Sequence, residues 1–312
     1  MVLKHGGLST PMIIHRITRD DRHFIIWSVL PSLLSVVLVG GVPVLYTFLL
    51  SLKDYQLIDP PGVFIGLGNY ADLLFNNPRY LHALLFTIFF AGVAVGMEIV
   101  VGFFVAYVLA DEEVTSRYSS IIRTLILIPF VVAPVVVSYT YKTLIYDVTF
   151  GYLNYFLKLI HLPVFDLSRG MYNAPIGILL MEIVLRTPFV TLILYAGISS
   201  IDASIFDAGA IDGVSWWKRM YLLTLPNIKS IIVVAFAFRF MDALKMFDEI
   251  YVVTGGGPGY VTENASIFAV RYGFEYFRMG YAAASSFIFL MVVLVLILSF
   301  LRWSKFAGGI SE

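Results

Sequence analysis

Apolar residues along this chain come in long runs separated by short polar breaks, not in the short alternating stripes of a half-buried sheet. Six runs stand out, over about 24–52, 81–110, 121–145, 174–199, 229–253 and 279–303. Each is long enough to supply the ~20 residues with which a helix crosses the hydrocarbon of a bilayer. Pro31 and Pro43 are expected to kink the first run, and Pro129 and Pro134 fall in the third. Between the first two runs, residues 53–78 carry Pro60-Pro-Gly62 and Gly66-Leu-Gly-Asn-Tyr70, which read as an irregular loop. Residues 111–117 make a short polar break, and 147–173 are marked by glycine and proline with room for a short amphipathic helix near 152–160. Thr254-Gly-Gly-Gly-Pro-Gly259 opens a further loop before the last run. The pattern predicts an all-α polytopic membrane protein with six transmembrane helices. Its parts are an N-terminal segment over 1–23, a membrane domain over 24–303, a polar island over 200–228 and a tail over 304–312.

Composition agrees with that pattern. The 312 residues are 59% hydrophobic and only 13% charged, about half the charge of an ordinary soluble domain. Mean hydropathy is +0.87. Such a chain keeps most of its surface in lipid. Residues 1–21 lack an apolar core and are not expected to act as a cleavable signal. Basic and acidic residues balance at 21 each, which gives no sign of a nucleic-acid partner. There is no cysteine, so disulfides, thiolate metal sites and cysteine nucleophiles are excluded.

Lysine and arginine then orient the spans. With the N-terminus in the cytoplasm, that side holds eleven of them (Lys4, Arg16, Arg19, Arg22, Arg117, Arg123, Lys218, Arg219, Lys229, Arg302, Lys305). The opposite side holds seven (Lys53, Arg79, Lys142, Lys158, Arg169, Arg271, Arg278). The expected location is the inner, cytoplasmic membrane, with both termini and the 200–228 island in the cytoplasm.

A charge at the bilayer centre costs at least ~2.5–3.5 kcal/mol, so charges within the runs need a reason. Glu182 and Arg186 stand one helical turn apart in the fourth run, and Phe189 extends their face. Arg239, Asp242 and Lys245 follow at steps of three in the fifth, with Ala243 and Met246 alongside and Asp248 and Glu249 nearer its end. Two readings stand side by side. The charges are structural ion pairs within a helix bundle, or they line a water-accessible pathway for a polar solute. In the second reading Tyr139 joins Glu182, Arg186, Phe189, Arg239, Asp242, Ala243 and Met246 as a pathway candidate. Tyrosines near a span end also serve as interface anchors.

Residues that would carry chemistry are missing. No lysine follows a glycine, so no phosphate-cradling Walker loop exists despite the glycines after Thr254. ATP-driven work would therefore need an ATPase on another chain. The five histidines are scattered without metal-ligand spacing, and no Gly-x-Ser-x-Gly elbow occurs. Neither an enzyme nor a metal site is expected. An ion-coupled transporter or channel for a small polar solute remains the alternative, although no clear inverted repeat supports it.

The polar island is the other segment to explain. Ile201, Ile205, Ala208 and Ile211 recur near helical spacing, Asp212-Gly213 breaks the helix, and Ser215 opens a second one containing Trp216 and Trp217. Pro226 closes the island. Such a hairpin either lies in the membrane interface or presents a knob to a soluble partner. Asp207-Ala-Gly-Ala-Ile-Asp-Gly213 followed by Thr224-Leu-Pro226 resembles the "EAA" loop of binding-protein-dependent ABC permeases, and more narrowly the sugar-importer branch of maltose and trehalose permeases. Similar landmarks run in family order: Phe64-Ile-Gly-Leu-Gly-Asn-Tyr70, Glu98 with Gly102 and Ala106, Leu127-Ile-Pro129, Gly151-Tyr-Leu-Asn154, Arg186-Thr-Pro-Phe189, Phe247-Asp248, and Thr254-Gly-Gly-Gly-Pro258 with Thr262-Glu263.

The resemblance implies a type I ABC importer permease. It would pair with a second homologous permease, two copies of a cytoplasmic ATPase that binds ATP and Mg, and an extracytoplasmic sugar-binding protein. It implies a coupling role for Asp207, Ala208, Gly209, Ala210, Asp212, Gly213 and Pro226. Aspartate at 207 departs from the usual glutamate, as do Gly209 and Val214 from the usual alanines. It also implies that residues of the fourth and fifth spans hold the solute, here near Glu182, Arg186, Phe189, Arg239 and Ala243. The cargo expected is a disaccharide or small oligosaccharide, moved by alternating access.

Overall fold

The computed structural model describes residues 19–111 and 119–308. The parts of the predicted N-terminal segment, the 111–117 break and the tail that fall in 1–18, 112–118 and 309–312 lie outside the described residues. The chain divides into two compact units, Met1–Leu49 and Leu50–Glu312. In the first unit, an α-helix over Arg19–Ser35 is followed by a π-helical stretch over Val36–Gly41 and the start of the helix Val42–Ser51. Its large side chains lie open, with Trp27 71% and Val39 78% exposed. That is the surface expected of a segment solvated by lipid.

The second unit is mostly helical and is built on three long helices, Pro78–Ala110, Asn173–Ser199 and Met279–Gly308. The first of them starts with both features expected of a helix N-terminus. The Asn77 side chain accepts from the Tyr80 amide at 3.0 Å, and Pro78 occupies the first turn, where its missing donor costs nothing. Pro78–Ala110 packs along Asn173–Ser199. Gly102 permits the approach, since a Cβ there would come within 2.9 Å of Val190 Cγ1. Around this contact Phe103, Ala106, Tyr107, Leu194, Met220 and Ile228 form one buried apolar cluster. A second cluster joins Phe90, Ala94, Ile178 and Met181 to Met246, Ile250 and Ile267. The outward faces are apolar too, with Leu85, Phe89 and Val100 about two-thirds exposed or more.

The structure refines several expectations. Among the described residues, four helices are long and apolar enough to cross a membrane, with a fifth if the bent pair Trp216–Asn227 and Lys229–Ala243 counts as one. The predicted third span is broken: Ser119–Val131 stops, and Pro134–Thr140 begins anew. Proline disfavours the helical region for the residue before it, and Ala133 is accordingly extended at φ −57°, ψ 132°. The predicted fifth span is broken as well, between Lys229–Ala243 and Asp248–Val253. Asp248 and Glu249 fill the first turn of the second piece, where the helix dipole favours acidic residues. Pro226 does not end the island as a stop. It sits in the first turn of the short helix Leu225–Asn227, and the 71° bend follows at Ile228. The last helix runs past 303 to Gly308.

The fold is also not purely α. Residues 53–64, expected to be irregular, form an antiparallel hairpin of Lys53–Gln56 with Asp59–Phe64. Asn69 pins the start of this hairpin by donating from Nδ2 to the Ser51 and Lys53 carbonyls, both at 2.9 Å. Gly280 lets it lie against the last long helix, because a Cβ there would overlap the Lys53 carbonyl oxygen at 2.1 Å. The short helix expected near 152–160 is present over Tyr152–Leu159.

Candidate functional site

The charged residues predicted inside the spans converge. Arg239, 1% exposed, sits where three helices meet. Its Nε and Nη2 donate to the two carboxylate oxygens of Glu98 at 2.8 and 3.0 Å, the bidentate geometry that makes arginine the preferred buried cation. Nη2 also reaches Glu182 Oε1 at 3.2 Å, and Nη1 donates to Asp242 Oδ2 at 2.5 Å. One turn beyond Glu182, Arg186 lies 3.4 Å from the same Oε1 and donates to Glu249 Oε1 at 2.6 Å. The result is one continuous network across Pro78–Ala110, Asn173–Ser199, Lys229–Ala243 and Asp248–Val253. Taking such charges out of water is offset only when pairing and hydrogen bonding are nearly complete.

Pairing here is not complete. Glu182 is 1% exposed, and among the described residues its Oε2 meets no hydrogen-bond donor. It lines a cavity of about 240 Å³ together with Pro134, Arg186, Asp242, Ala243, Lys245, Met246, Phe247, Asp248 and Glu249. The cavity lies beside both helix breaks. Pro134 opens the second half of the broken third span, and 244–247 is the unwound stretch of the fifth. Non-helical backbone at membrane depth survives only where its polar groups are re-satisfied or face water. The Asn264 side chain meets that need by donating to the Met246 carbonyl while its Oδ1 caps the helix Ala265–Val270.

Of the predicted pathway residues, Glu182, Arg186, Asp242, Ala243 and Met246 therefore line one cavity. Three do not. Arg239 lies beneath the wall and holds the carboxylates. Phe189 stacks between Phe130 and Phe238, with ring centroids 5.1 and 5.6 Å away. Tyr139 is 63% exposed and is not among the lining residues. Helical periodicity alone carried Phe189 onto the Glu182 face, but the ring turns into an aromatic stack. Glu98 entered the sequence reading only as a family landmark, and Glu249 only as a charge near a span end. Nothing in the local pattern says that these two complete the network.

The polar island forms a second site. Helix Ala203–Ile211 starts at Asp202, whose side chain accepts from the Ser204 amide at 2.9 Å. That bond holds the Asp202 carboxylate below its usual pKa, so the cap stays charged at neutral pH. Gly213 takes φ +68° just past the helix end, the left-handed conformation that glycine adopts without strain. Asp207, Ala208, Ala210, Asp212, Gly213 and Pro226 are exposed, and Ile211 is 87% exposed. Gly209 instead faces inward, where a Cβ would meet Leu223 Cδ1 at 2.7 Å. The hairpin is tied to the end of the Pro78–Ala110 helix. Trp216 Nε1 donates to Asp111 Oδ2 at 3.0 Å, Arg219 Nη2 reaches the same oxygen at 3.3 Å, and Tyr107 Oη donates to the Trp216 carbonyl at 3.2 Å. Trp216 is thus a structural clamp, a role that the choice between membrane anchor and docking knob had left out.

Known proteins resemble this chain in sequence and in fold along most of its length. The family model for binding-protein-dependent transport system inner membrane components matches residues 98–305. A probable ABC transporter permease protein of Sinorhizobium fredii is 36% identical over 288 residues, covering 91% of each chain. A trehalose/maltose transport system permease protein of Thermococcus litoralis is 34% identical over 269 residues, covering 86% of this chain and 88% of its own. Among solved structures, a chain of a bacterial alginate ABC transporter, crystallised with an alginate pentasaccharide-bound periplasmic protein, superposes with a TM-score of 0.78. That superposition covers 94% of this chain and 98% of the other at 19% identity. The chain belongs to the family of binding-protein-dependent transport system inner membrane components, the membrane permease subunits of ABC transporters.

Proposed function

We propose that this chain is a permease subunit of an ATP-driven sugar importer, carrying a disaccharide or small oligosaccharide across the cytoplasmic membrane by alternating access. The observation that carries the reading is the 34% identity to a trehalose/maltose permease along 86% of the chain, a stretch that includes cavity and hairpin alike. In this reading the broken third and fifth segments count as spans, giving six within 24–303. Residues 1–23, 200–228 and 304–312 then face the cytoplasm.

The hairpin is the coupling element. Asp207, Ala208, Ala210, Asp212, Gly213 and Pro226 present its outer surface to one of two ATPase subunits, and Gly209 keeps its two arms close. ATP and Mg on those subunits supply the energy for their closure. Movement of the hairpin reaches the membrane through Trp216, Arg219 and Asp111, which join it to the helix carrying Glu98. Glu98 holds Arg239, and Arg239 holds Glu182 at the cavity wall. The path from hairpin to cavity is therefore one helix and two ion pairs. A cavity of about 240 Å³ falls short of the ~300 Å³ at which small-molecule pockets begin. It accommodates part of a disaccharide, and a second homologous permease facing it supplies the rest of the enclosure. An extracytoplasmic binding protein delivers the solute.

The test is a reconstituted complex of this chain with its partner permease, ATPase and binding protein, assayed for ATPase stimulation across a panel of neutral disaccharides. Stimulation by at least one is expected, and stimulation by none would remove the sugar reading. Asp207→Arg or Gly213→Asp should abolish uptake while the permease keeps its thermal stability. Undiminished coupled uptake in both would remove the coupling role.

A further inference from the structure

The cavity wall is unequal in charge. Glu182, Asp242, Asp248 and Glu249 contribute four carboxylates, against the two cations Arg186 and Lys245. Arg186 is already held by Glu182 and Glu249. Arg239, the nearest cation behind the wall, is saturated by Glu98, Glu182 and Asp242. Guanidiniums are the groups best suited to grip a carboxylate or phosphate. Arg239 spends its donors on the protein, while Arg186 gives Nη2 to Glu249 and keeps a buried Nε that makes no hydrogen bond but stays in an ion pair with Glu182. The acceptor that the wall leaves unspent is Glu182 Oε2, which is buried and unpartnered among the described residues. A buried carboxylate oxygen without a donor is costly, and a hydroxyl or ammonium hydrogen from a solute relieves it.

We infer that this cavity is a charge filter: it admits neutral polyhydroxylated or cationic solutes, binds a solute hydroxyl at Glu182 Oε2, and rejects anionic sugars such as uronates and sugar phosphates. The inference rests on the cavity being the solute pathway and narrows the cargo of the proposed importer. Lys245 is the cation on the wall without an ion pair among the described residues. Asp242 and Asp248, three positions to either side of it in sequence, offset its field in the same cavity. A cleft whose low-dielectric walls carry an excess of one sign raises the local concentration of ions of the other sign, by about tenfold or more.

The chain has no native cysteine, which permits a direct measurement. Ala243→Cys, and separately Phe247→Cys, places a thiol on the wall of the full-length chain in membranes. Its reaction rates are compared for two methanethiosulfonates of similar size, one bearing a trimethylammonium group and the other a sulfonate. Each rate is normalised to that of the same variant denatured in detergent. The filter predicts a cation-to-anion ratio of about tenfold or more at low salt, falling as salt rises. It also predicts that Asp242→Asn or Asp248→Asn lowers the ratio by about threefold or more. A ratio near one at both thiols, or reaction with neither reagent, would overturn the filter. So would ATPase stimulation by a uronate-bearing disaccharide equal to that by its neutral counterpart. A ratio near one with trehalose still stimulating the complex removes the filter and leaves the importer reading intact. A high ratio with no disaccharide active supports the filter and removes the sugar reading.

Discussion

Two buried charge clusters in this protein use the same residue types to opposite ends. In one, Glu263 is fully buried and both its oxygens are taken. Arg79 donates to them at 2.5 and 2.8 Å, and Arg271 pairs with Oε1. Arg271 also donates to the Gly255 carbonyl at 2.7 Å, so the pair fastens the glycine-rich loop after Thr254 to the Pro78–Ala110 helix. None of these residues lines the cavity. In the other, Arg239 is as well satisfied as Glu263, but Glu182 keeps an oxygen without a donor and faces the cavity. The difference teaches how to divide structural from functional charges in one membrane fold. A closed cluster, in which every oxygen has its donor, holds elements together. An open one, with a spare acceptor on a cavity wall, is available to a ligand. The closed cluster matches the structural alternative posed by the sequence, and the open one carries the cavity wall on which the proposed pathway rests.

Removing the centre of the open cluster should produce the largest effect. Arg239→Met leaves Glu98 buried without its ion-pair partner and Glu182 with Arg186 alone, a change worth about 3–5 kcal/mol when one partner of a buried pair is lost. Thermal unfolding in detergent should show it as a severe loss of folded chain, and Arg239→Lys should not rescue it because an ammonium cannot reproduce the fork. A folded, fully stable Arg239→Met protein would mean that the network is dispensable. Glu263→Gln should cost less, about 1.5–3 kcal/mol for the lost charged hydrogen bonds. It should loosen the loop in hydrogen exchange while leaving cavity charge unchanged. If it altered the cavity instead, the two clusters would not be separable.

Glu182→Gln sharpens the comparison further. It should lower solute-stimulated ATPase or solute affinity by about tenfold, one charged hydrogen bond, with a smaller loss of thermal stability than Arg239→Met because Arg239 keeps Glu98 and Asp242 and Arg186 keeps Glu249. A large stability loss with unchanged affinity would move Glu182 into the structural class. The smallest effect is expected at the hairpin clamp. Trp216→Phe removes only the bond to Asp111 Oδ2, about 1 kcal/mol. It should show as reduced coupling, ATP hydrolysed per solute moved, before it shows as reduced stability.

The sequence and the structure divide the explanation in a consistent way. Membrane residence follows from composition and run length, because lipid imposes its thickness on any chain that crosses it. The pairs Glu182–Arg186 and Arg239–Asp242 follow from spacing, because residues three or four apart share a helix face. The hairpin turn at Gly213 follows from the one residue type that adopts positive φ freely. The break before Pro134 was available in the same way, through the restriction proline places on its neighbour. The break at 244–247 was not. It contains neither proline nor glycine, and its compensation comes from Asn264, in a loop 18 residues away. The bonds of Glu98 to Arg239 and of Arg186 to Glu249 join residues 141 and 63 positions apart. Local periodicity carries no information about such distances. Tertiary structure alone decided which carboxylates met which guanidiniums, and so which oxygen remained free to face the cavity. Spacing along a helix constrains neighbours within a turn, whereas the pairing of buried charges is settled by which helices the apolar packing brings together.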